Sequence, residues 1–296
     1  MTEASQKNLT MLVCLAHPDD ETFGMGGTLA LYARRGVQVH LVCATRGDVG
    51  EVDQELLQGF NSIAERRESE LRCAAGILGL AGVYFLGYRD SGMPGSPDNH
   101  HPNALAAQPI DEVAAKLVHY VRLLKPQVMI TFDPIGGYKH PDHIAINRAT
   151  VRAFELASDP RSISDLPPYQ AQKLYFHTMP KDLIRWTVRL APLFGMDPHH
   201  FGRNRDIDMA AVVAEGNFPT HARINCRCVR DVWDEAAACH YSQLGGMAGR
   251  RGPMTLLQRY LRSKETFMRA YPQTKSGLHE TDLFEGVVTE SLTKNC

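Results

Sequence analysis

The chain has 296 residues, 44% of them hydrophobic and 22% charged, the mixture typical of a globular protein with a sizeable core. With 32 Lys and Arg against 33 Asp and Glu, the formal charge is -1. This balance argues against a dedicated nucleic-acid or anionic-membrane binder, because such proteins usually carry a basic excess.

Strand and helix patterns alternate through the first half of the chain. Strands are predicted at residues 11–16, 37–44, 83–86 and 128–132, and helices at residues 28–35, 63–78, 110–124 and 144–157. This alternation indicates an α/β fold with a Rossmann-like, doubly wound, mostly parallel sheet. In such sheets ligands bind beyond the carboxyl ends of the strands.

The rhythm weakens after residue 160. Further strands are predicted at 174–177 and 224–229, and further helices at 233–241 and 255–267. We therefore predict an α/β core over residues 1–160 and a C-terminal extension over 161–296 that packs on the core and completes the cleft. Residues 88–109 and 195–206 are predicted as loops that select the substrate.

The compartment is predicted from what the sequence lacks. No run approaches the roughly 18 apolar residues that span a bilayer, and residues 1–10 contain no apolar signal core. The odd number of cysteines, seven, suits a reducing cytoplasm better than a disulfide framework. We therefore expect a cytoplasmic protein with no membrane span.

Two short segments concentrate imidazole and carboxylate groups where strands end. The first, AHPDDE at residues 16–21, follows the first predicted strand, and the second, GGYKHPDH at residues 136–143, follows the fourth. Taken singly, each segment is also typical of a capped helix start. The presence of both segments at the carboxyl edge of one parallel sheet favours a functional site.

The residue types in these segments suit metal-dependent hydrolysis. Two His and one carboxylate form a usual catalytic zinc site with a fourth position for water. Bound zinc acidifies that water and polarises a carbonyl oxygen. A second carboxylate beside the ion can accept the proton, and the adjacent Asp19 and Asp20 supply both functions. The same ligand set also accepts Fe(II).

These motifs resemble those of the LmbE-like/PIG-L family of zinc-dependent N-acetylglucosaminyl deacetylases. The family's A-H-P-D-D-E motif is present at residues 16–21, and its H-P-D-H motif at 140–143. Residues 67–71 (RESEL) are similar to its R-x-x-E-L helix, and residues 238–243 are loosely similar to its A-x-x-H-x-S-Q segment. The resemblance covers residues 10–157 well.

The resemblance implies the metal ligands and the base. His17, Asp20 and His143 would bind Zn²⁺, and Asp19 would act as the general base. Reasoning from the residues alone supports the same two functions for these two segments.

The resemblance also implies five further roles. His140 would be the acid or electrostatic stabiliser that helps the amine leave, and Asp142 would orient it. Tyr138 would contact the tetrahedral intermediate. Arg67 and Asp90 would hold sugar hydroxyls or a neighbouring anionic group of the substrate.

The resemblance implies a small amino-sugar substrate from which an N-acetyl or N-acyl group is removed. Two alternatives stay open, namely an amidase that cleaves conjugates of thiol cofactors and a non-catalytic sugar-binding member. A homo-oligomer is also left open.

Two weaker features accompany the motifs. A dinucleotide site is disfavoured because the third glycine of the G-x-G-x-x-G pattern that begins at Gly24 falls on Leu29. A C-terminal basic group is usually a solvated face but could hold an anionic substrate group. Its members are Arg250, Arg251, Arg259, Arg262 and Lys264. His240 could border the cleft.

Overall fold

The computed structural model describes residues 9–162, 164–178, 181–194, 197–200, 208–215, 218–244, 263–274 and 277–288. Within these ranges the strands are β1 (Thr10–Leu15), β2 (Gln38–Thr45), β3 (Gly82–Tyr88), β4 (Val128–Phe132), β5 (Lys173–Thr178), β6 (Ala222–Asn225) and β7 (Lys264–Tyr271). The α-helices are α1 (Asp20–Arg34), α2 (Ile63–Leu78), α3 (Ile110–Leu124), α4 (Gly136–Lys139), α5 (Pro141–Leu156), α6 (Lys181–Leu190), α7 (Met209–Glu215), α8 (Arg230–Cys239) and α9 (Tyr241–Leu244).

All the described strands form one sheet in the order β3-β2-β1-β4-β5-β7-β6. β1 to β5 pair in parallel, whereas β7 runs antiparallel to both β5 and β6. Every residue of β4 and nearly every residue of β1 is buried, so both faces of the sheet centre are covered. The predicted α/β class with a mostly parallel sheet is confirmed.

The strand order places the two motifs beside each other. β1 pairs with β4, while β2 continues the sheet on one side and β5 on the other. The loops after β1 and β4 therefore open at the point where the winding direction reverses, the usual ligand position in a doubly wound sheet. Residues about 120 positions apart in the chain thus meet at one edge.

α1 begins two turns earlier than predicted and is broken inside. Met25 has φ −141° and ψ 25°, which interrupts the helix within its glycine-rich start. Glu265 of β7 accepts hydrogen bonds from the amides of Gly27 (3.1 Å) and Thr28 (2.8 Å). A carboxylate from the far end of the chain therefore caps the second part of the helix, and the local pattern could not reveal it.

The predicted helix at 255–267 is wrong where the structure describes it. Residues from Lys264 onward form β7, because their backbone pairs on one side with β5 and on the other with β6. Residues 255–262 of that prediction lie outside the described residues. So do four members of the basic group, namely Arg250, Arg251, Arg259 and Arg262. So does most of the predicted loop at 195–206.

One pair of cysteines departs from the expectation of free thiols. Cys73 of α2 and Cys239 at the end of α8 form a disulfide, with Cα atoms 5.9 Å apart. The two residues are 166 positions apart, so nothing local in the sequence marks them as partners. Among the helices described, none is long and apolar enough to cross a membrane.

Candidate metal centre

The turn after β1 holds the first motif in a strained conformation. The His17 amide donates to Asp20 Oδ2 (2.7 Å), and the Asp19 amide donates to Glu21 Oε2 (3.0 Å). Asp19 has φ 117°, in the left-handed region, which costs a non-glycine residue about 1–3 kcal/mol. The hydrogen bonds to the carboxylates of Asp20 and Glu21 therefore stabilise a backbone conformation that Asp19 by itself disfavours.

A tight turn after β4 positions the second motif. Asp133 Oδ1 accepts from the amides of Ile135 (3.2 Å) and Gly137 (2.9 Å). Gly136 has φ 67°, and a Cβ on it would lie 2.8 Å from His143 Cβ. Only glycine fits there, because the turn passes so close to the start of α5.

Three donor groups from the two turns converge. His143 Nε2 lies 3.3 Å from Asp20 Oδ1 and 3.3 Å from His17 Nδ1, while His17 Nδ1 lies 3.5 Å from Asp20 Oδ2. A tetrahedral zinc ion with ligands about 2.0–2.1 Å away requires donors about 3.3–3.4 Å apart. The two histidine nitrogens have the spacing of two ligands of one ion, and Asp20 places a different carboxylate oxygen near each of them.

Both imidazoles are held from their far side. His143 Nδ1 donates to Gly136 O (3.2 Å), which directs Nε2 toward the cluster, and Phe132 stacks on the same ring. His17 Nε2 lies 3.1 Å from Asp142 Oδ2. Hydrogen bonds of this kind fix the tautomer and orientation of metal-binding histidines.

Asp142 is itself anchored by Ser91. The Ser91 amide donates to Asp142 Oδ2 (2.9 Å), and the Ser91 hydroxyl donates to Oδ1. The carboxylate thus supports His17, whereas the resemblance implied that it orients His140. Only the Asp142 backbone amide reaches His140, at Nδ1 (3.2 Å).

Two further sets have donor atoms close enough to share an ion. They are His17 with His140 and His143, and His17 with Asp90 and Asp142, each with its donor atoms within 4.8 Å of one another. In the second set, Ser91 already donates to both oxygens of Asp142, so an ion there would compete with formed hydrogen bonds. The described residues therefore contain a buried His and carboxylate cluster able to bind a metal ion.

His17 and Asp20 of the cluster shift each other's pKa values toward the charged forms. Burial alone would lower the pKa of His17, but Asp90, Asp142 and Asp20 together raise it well above its usual range. Burial alone would raise the pKa of Asp20, but His143 and His17 hold it well below. Asp20 is therefore ionised, as a metal ligand must be, whereas His17 has to release a proton before it can bind an ion.

Arg67 reaches the site from α2 and contacts Asp19. Its Nη2 donates to Asp19 Oδ2 (3.2 Å) and Pro18 O (2.8 Å), and its Nη1 donates to Gly47 O (3.1 Å). Burial raises the pKa of Asp19 to about 6, although the Arg67 charge opposes that rise. Both terminal nitrogens of Arg67 are thus used inside the protein, and its contact with substrate stays a prediction.

His140 and Tyr138 border the same cluster. The His140 ring lies edge-on to His17, with centroids 4.6 Å apart, and the Tyr138 ring lies 5.0 Å from that of His143. His140 Nδ1 accepts from the Asp142 amide, so a neutral ring carries its proton on Nε2. Burial, reinforced by His17 and His143, lowers the pKa of His140 to about 2. Burial also raises the pKa of the Tyr138 phenol, which stays protonated.

Asp90 lies on the opposite side of His17. Its Oδ1 accepts from the Gly92 amide (2.8 Å) and lies 3.5 Å from His17 Nε2. Burial alone would raise the pKa of Asp90, but His17 and the Gly92 amide hold it well below its usual range. Among the described residues, the hydrogen bond and the ion pair of this carboxylate both use Oδ1.

Sequence reasoning missed several residues that support the cluster. Ser91 anchors Asp142, Phe132 stacks on His143, and Glu21 connects Asp19 to His240. Of these, only Glu21 had a signal, because it stands inside the first motif. The others act through contacts that neither spacing nor residue type reveals.

The chain is similar to proteins of known description. A family model described as "PIG-L: GlcNAc-PI de-N-acetylase" matches residues 12–154. A 1D-myo-inositol 2-acetamido-2-deoxy-alpha-D-glucopyranoside deacetylase of Streptomyces avermitilis is 43% identical over 181 residues, covering 58% of this chain. The match spans 62% of that relative's length, somewhat less than two thirds.

Longer matches extend the similarity. A relative of the same description from Acidothermus cellulolyticus is 37% identical over 244 residues, which cover 79% of this chain and 80% of the relative. The fold is similar to that of N,N'-diacetylchitobiose deacetylase from Pyrococcus horikoshii, with a TM-score of 0.60 and 21% identity. That match covers 88% of this chain and 83% of the other, and at such identity it shows the fold alone.

Proposed function

The chain belongs to the PIG-L family, and from this premise we propose that it removes the N-acetyl group from a glucosamine-containing small molecule by metal-dependent hydrolysis. The observation that carries the proposal is the convergence of His17, Asp20 and His143, with donor atoms 3.3–3.5 Å apart, beside the strained Asp19. The similarity to inositol glucosaminide deacetylases supports the substrate class.

His17, Asp20 and His143 would hold the metal, which we propose is Zn²⁺, with Fe(II) as the alternative for the same donors. When bound, the ion would polarise the amide carbonyl and acidify the attacking water. Asp142 and the Gly136 carbonyl keep the two imidazoles aimed at the site.

Asp19 accepts the proton of the attacking water in this proposal and returns it to the amine nitrogen as the C–N bond breaks. Its backbone strain and the Arg67 contact direct the carboxylate, and a pKa of about 6 suits a base that works near neutral pH. The carboxylate of Asp20 is committed to the two histidines, so the two neighbouring aspartates have different functions.

His140 and Tyr138 donate hydrogen bonds to the carbonyl oxygen as it gains negative charge. The tautomer of His140 leaves a proton on Nε2, and the Tyr138 phenol remains protonated. Preformed donors in a buried site stabilise such charge strongly. Of the two roles implied for His140, this geometry favours the electrostatic stabiliser over the proton donor.

Asp90 is the proposed contact for a sugar hydroxyl. Its Oδ1 accepts from the Gly92 amide and lies 3.5 Å from His17 Nε2, and we propose that its other oxygen accepts from the sugar hydroxyl. Arg67 would contribute to substrate binding mainly by fixing Asp19.

A free-amine assay tests the proposal. The metal-loaded protein is incubated with an N-acetylglucosaminyl inositol, N,N'-diacetylchitobiose, N-acetylglucosamine and amide conjugates of a glucosaminyl thiol cofactor. We expect the fastest amine release from the inositol glucosaminide, and release at least about 100-fold slower from metal-loaded Asp19→Asn. Release from the thiol conjugates alone would support the amidase alternative. A protein that binds metal but releases no amine would be the non-catalytic alternative.

A further inference from the structure

His240 and Glu21 form a fully buried pair next to the proposed base. His240 Nε2 lies 2.7 Å from Glu21 Oε1, and both side chains are 0% exposed. His240 Nδ1 is buried with no hydrogen-bond partner among the described residues. The polar contact of this imidazole is therefore directed to Glu21.

Glu21 also contacts Asp19 through its other carboxylate oxygen. Its Oε2 accepts the Asp19 amide (3.0 Å), and its Oε1 also accepts the Thr22 hydroxyl. Asp19 is the only residue between the strand end and α1 with a left-handed φ, and an amide in such a turn needs a fixed acceptor to keep its orientation. Glu21 can provide one only if its own carboxylate is fixed.

The turn that carries His240 is itself tied to α2. The Ser242 amide (3.0 Å) and hydroxyl (2.6 Å) both donate to Glu70 of α2, and the Cys73–Cys239 disulfide joins the same two segments. α2 also carries Arg67, which holds the Asp19 carboxylate. One frame thus fixes Asp19 from two sides, its carboxylate through Arg67 and its backbone through His240 and Glu21.

We propose that His240 is a positioning residue, which acts through Glu21 to hold Asp19 in its strained backbone conformation. This inference rests on the proposed function of Asp19 as the base. If the His240 and Glu21 pair only stabilised the fold, its loss would lower stability without a selective effect on the Asp19 amide or on kcat. The two possibilities therefore predict different measurements.

The test compares His240→Leu, which removes the donor, with His240→Gln, which can still donate to Glu21. Ser242→Ala is the matched control, because it removes one hydrogen bond from the same turn while the Ser242 amide contact to Glu70 and the disulfide keep the turn in place. For each folded variant we would measure kcat, KM and bound metal. The exchange rate of the Asp19 amide would be measured by NMR in metal-free and metal-loaded protein.

We expect His240→Leu to lower kcat by about 10- to 100-fold, because small displacements of a catalytic group are costly. KM and metal content should change less than about twofold, which is small beside the expected loss of kcat. The Asp19 amide should exchange at least about tenfold faster, as local protection is lost. His240→Gln should recover most of both losses, and Ser242→Ala should show neither.

Glu21→Gln provides a second route if His240→Leu does not fold. Its amide group cannot accept from both Asp19 and His240, so kcat and the exchange rate should change in the same way. Unchanged kcat or unchanged exchange in the folded variants would overturn the inference, as would equal losses in Ser242→Ala. If the wild-type protein releases no amine from any substrate, the proposed function fails, and the exchange rates still decide the positioning.

Discussion

Arg67 Nη2 lies 3.2 Å from Asp19 Oδ2 and 2.8 Å from Pro18 O, so one guanidinium group donates to both a side chain and the backbone of the turn after β1. Arg67, which the resemblance places at the substrate sugar, therefore binds Asp19, the proposed general base. An ion pair of this kind, largely buried, influences the protonation of the base as well as its position.

The first prediction follows from this pair. Burial raises the pKa of Asp19 to about 6, and Arg67 opposes that rise, so loss of the positive charge should raise the pKa further. Because the base must be deprotonated, the acidic limb of kcat/KM should lie near pH 6 in the wild type and move to higher pH in Arg67→Ala. Arg67→Lys keeps the charge and should leave the limb nearly in place. A limb at the same pH in all three proteins would contradict this relationship.

The neighbouring aspartates should respond differently to the same substitution. Asp19→Asn should keep metal and fold but lower kcat by roughly 10²- to 10⁴-fold, because only the base is lost. Asp20→Asn replaces an anionic ligand by a neutral amide, so metal affinity should fall first, and excess zinc should partly restore activity. Metal content and amine release measure both effects. Near-normal activity in zinc-loaded Asp19→Asn would exclude it as the base.

Two adjacent glycines offer a test of the second turn. Gly136 and Gly137 both have φ 67°, but a Cβ on Gly136 would lie 2.8 Å from His143 Cβ, whereas one on Gly137 meets nothing within 4 Å. Each Ala substitution should cost about 1 kcal/mol or more of stability through backbone strain. Only Gly136→Ala should also displace His143 and weaken metal binding, by about tenfold or more. Metal titrations of the two folded variants measure the difference, and equal affinities would argue against a steric requirement at Gly136.

Glu265 should make stability depend on pH. Burial raises its pKa from 4.5 to about 7 in the folded protein, although the capped amides of α1 oppose the rise. The folded state then binds the proton more tightly than the unfolded state. The resulting stabilisation is complete below about pH 4.5 and is lost as pH rises through about 7.

Glu265→Gln removes the titrating group and should remove this dependence. Its side-chain nitrogen cannot accept from the Gly27 or Thr28 amide, so the variant should be less stable than the wild type near pH 4.5. This deficit should shrink by roughly 1–3 kcal/mol as pH rises through 7, because only the wild type loses stability there. Denaturant unfolding at several pH values measures this difference. A difference that does not change with pH would show that burial does not shift the pKa of Glu265 in this way.

Local features were predictable because their causes are local. The bounds of α2, α3 and β4 match the predicted ranges, since apolar spacing and end signals lie within each segment. α1 was predicted too short, because three glycines weaken its first turns and the cap that stabilises it comes from β7. The predicted helix before residue 267 was wrong in its described part, because pairing with β5 and β6 overrides a helical pattern.

By itself the sequence determined the chemistry at the ends of β1 and β4, because the strand patterns and the His and Asp residues of each motif are contiguous. The tertiary structure alone decided which group each of those residues contacts. The Asp142 carboxylate contacts His17, while only its backbone amide reaches His140, and Arg67 contacts Asp19. Glu21 connects to His240, 219 positions away. Such partners depend on how helices pack on the sheet, and contacts between residues so far apart leave no trace in local spacing.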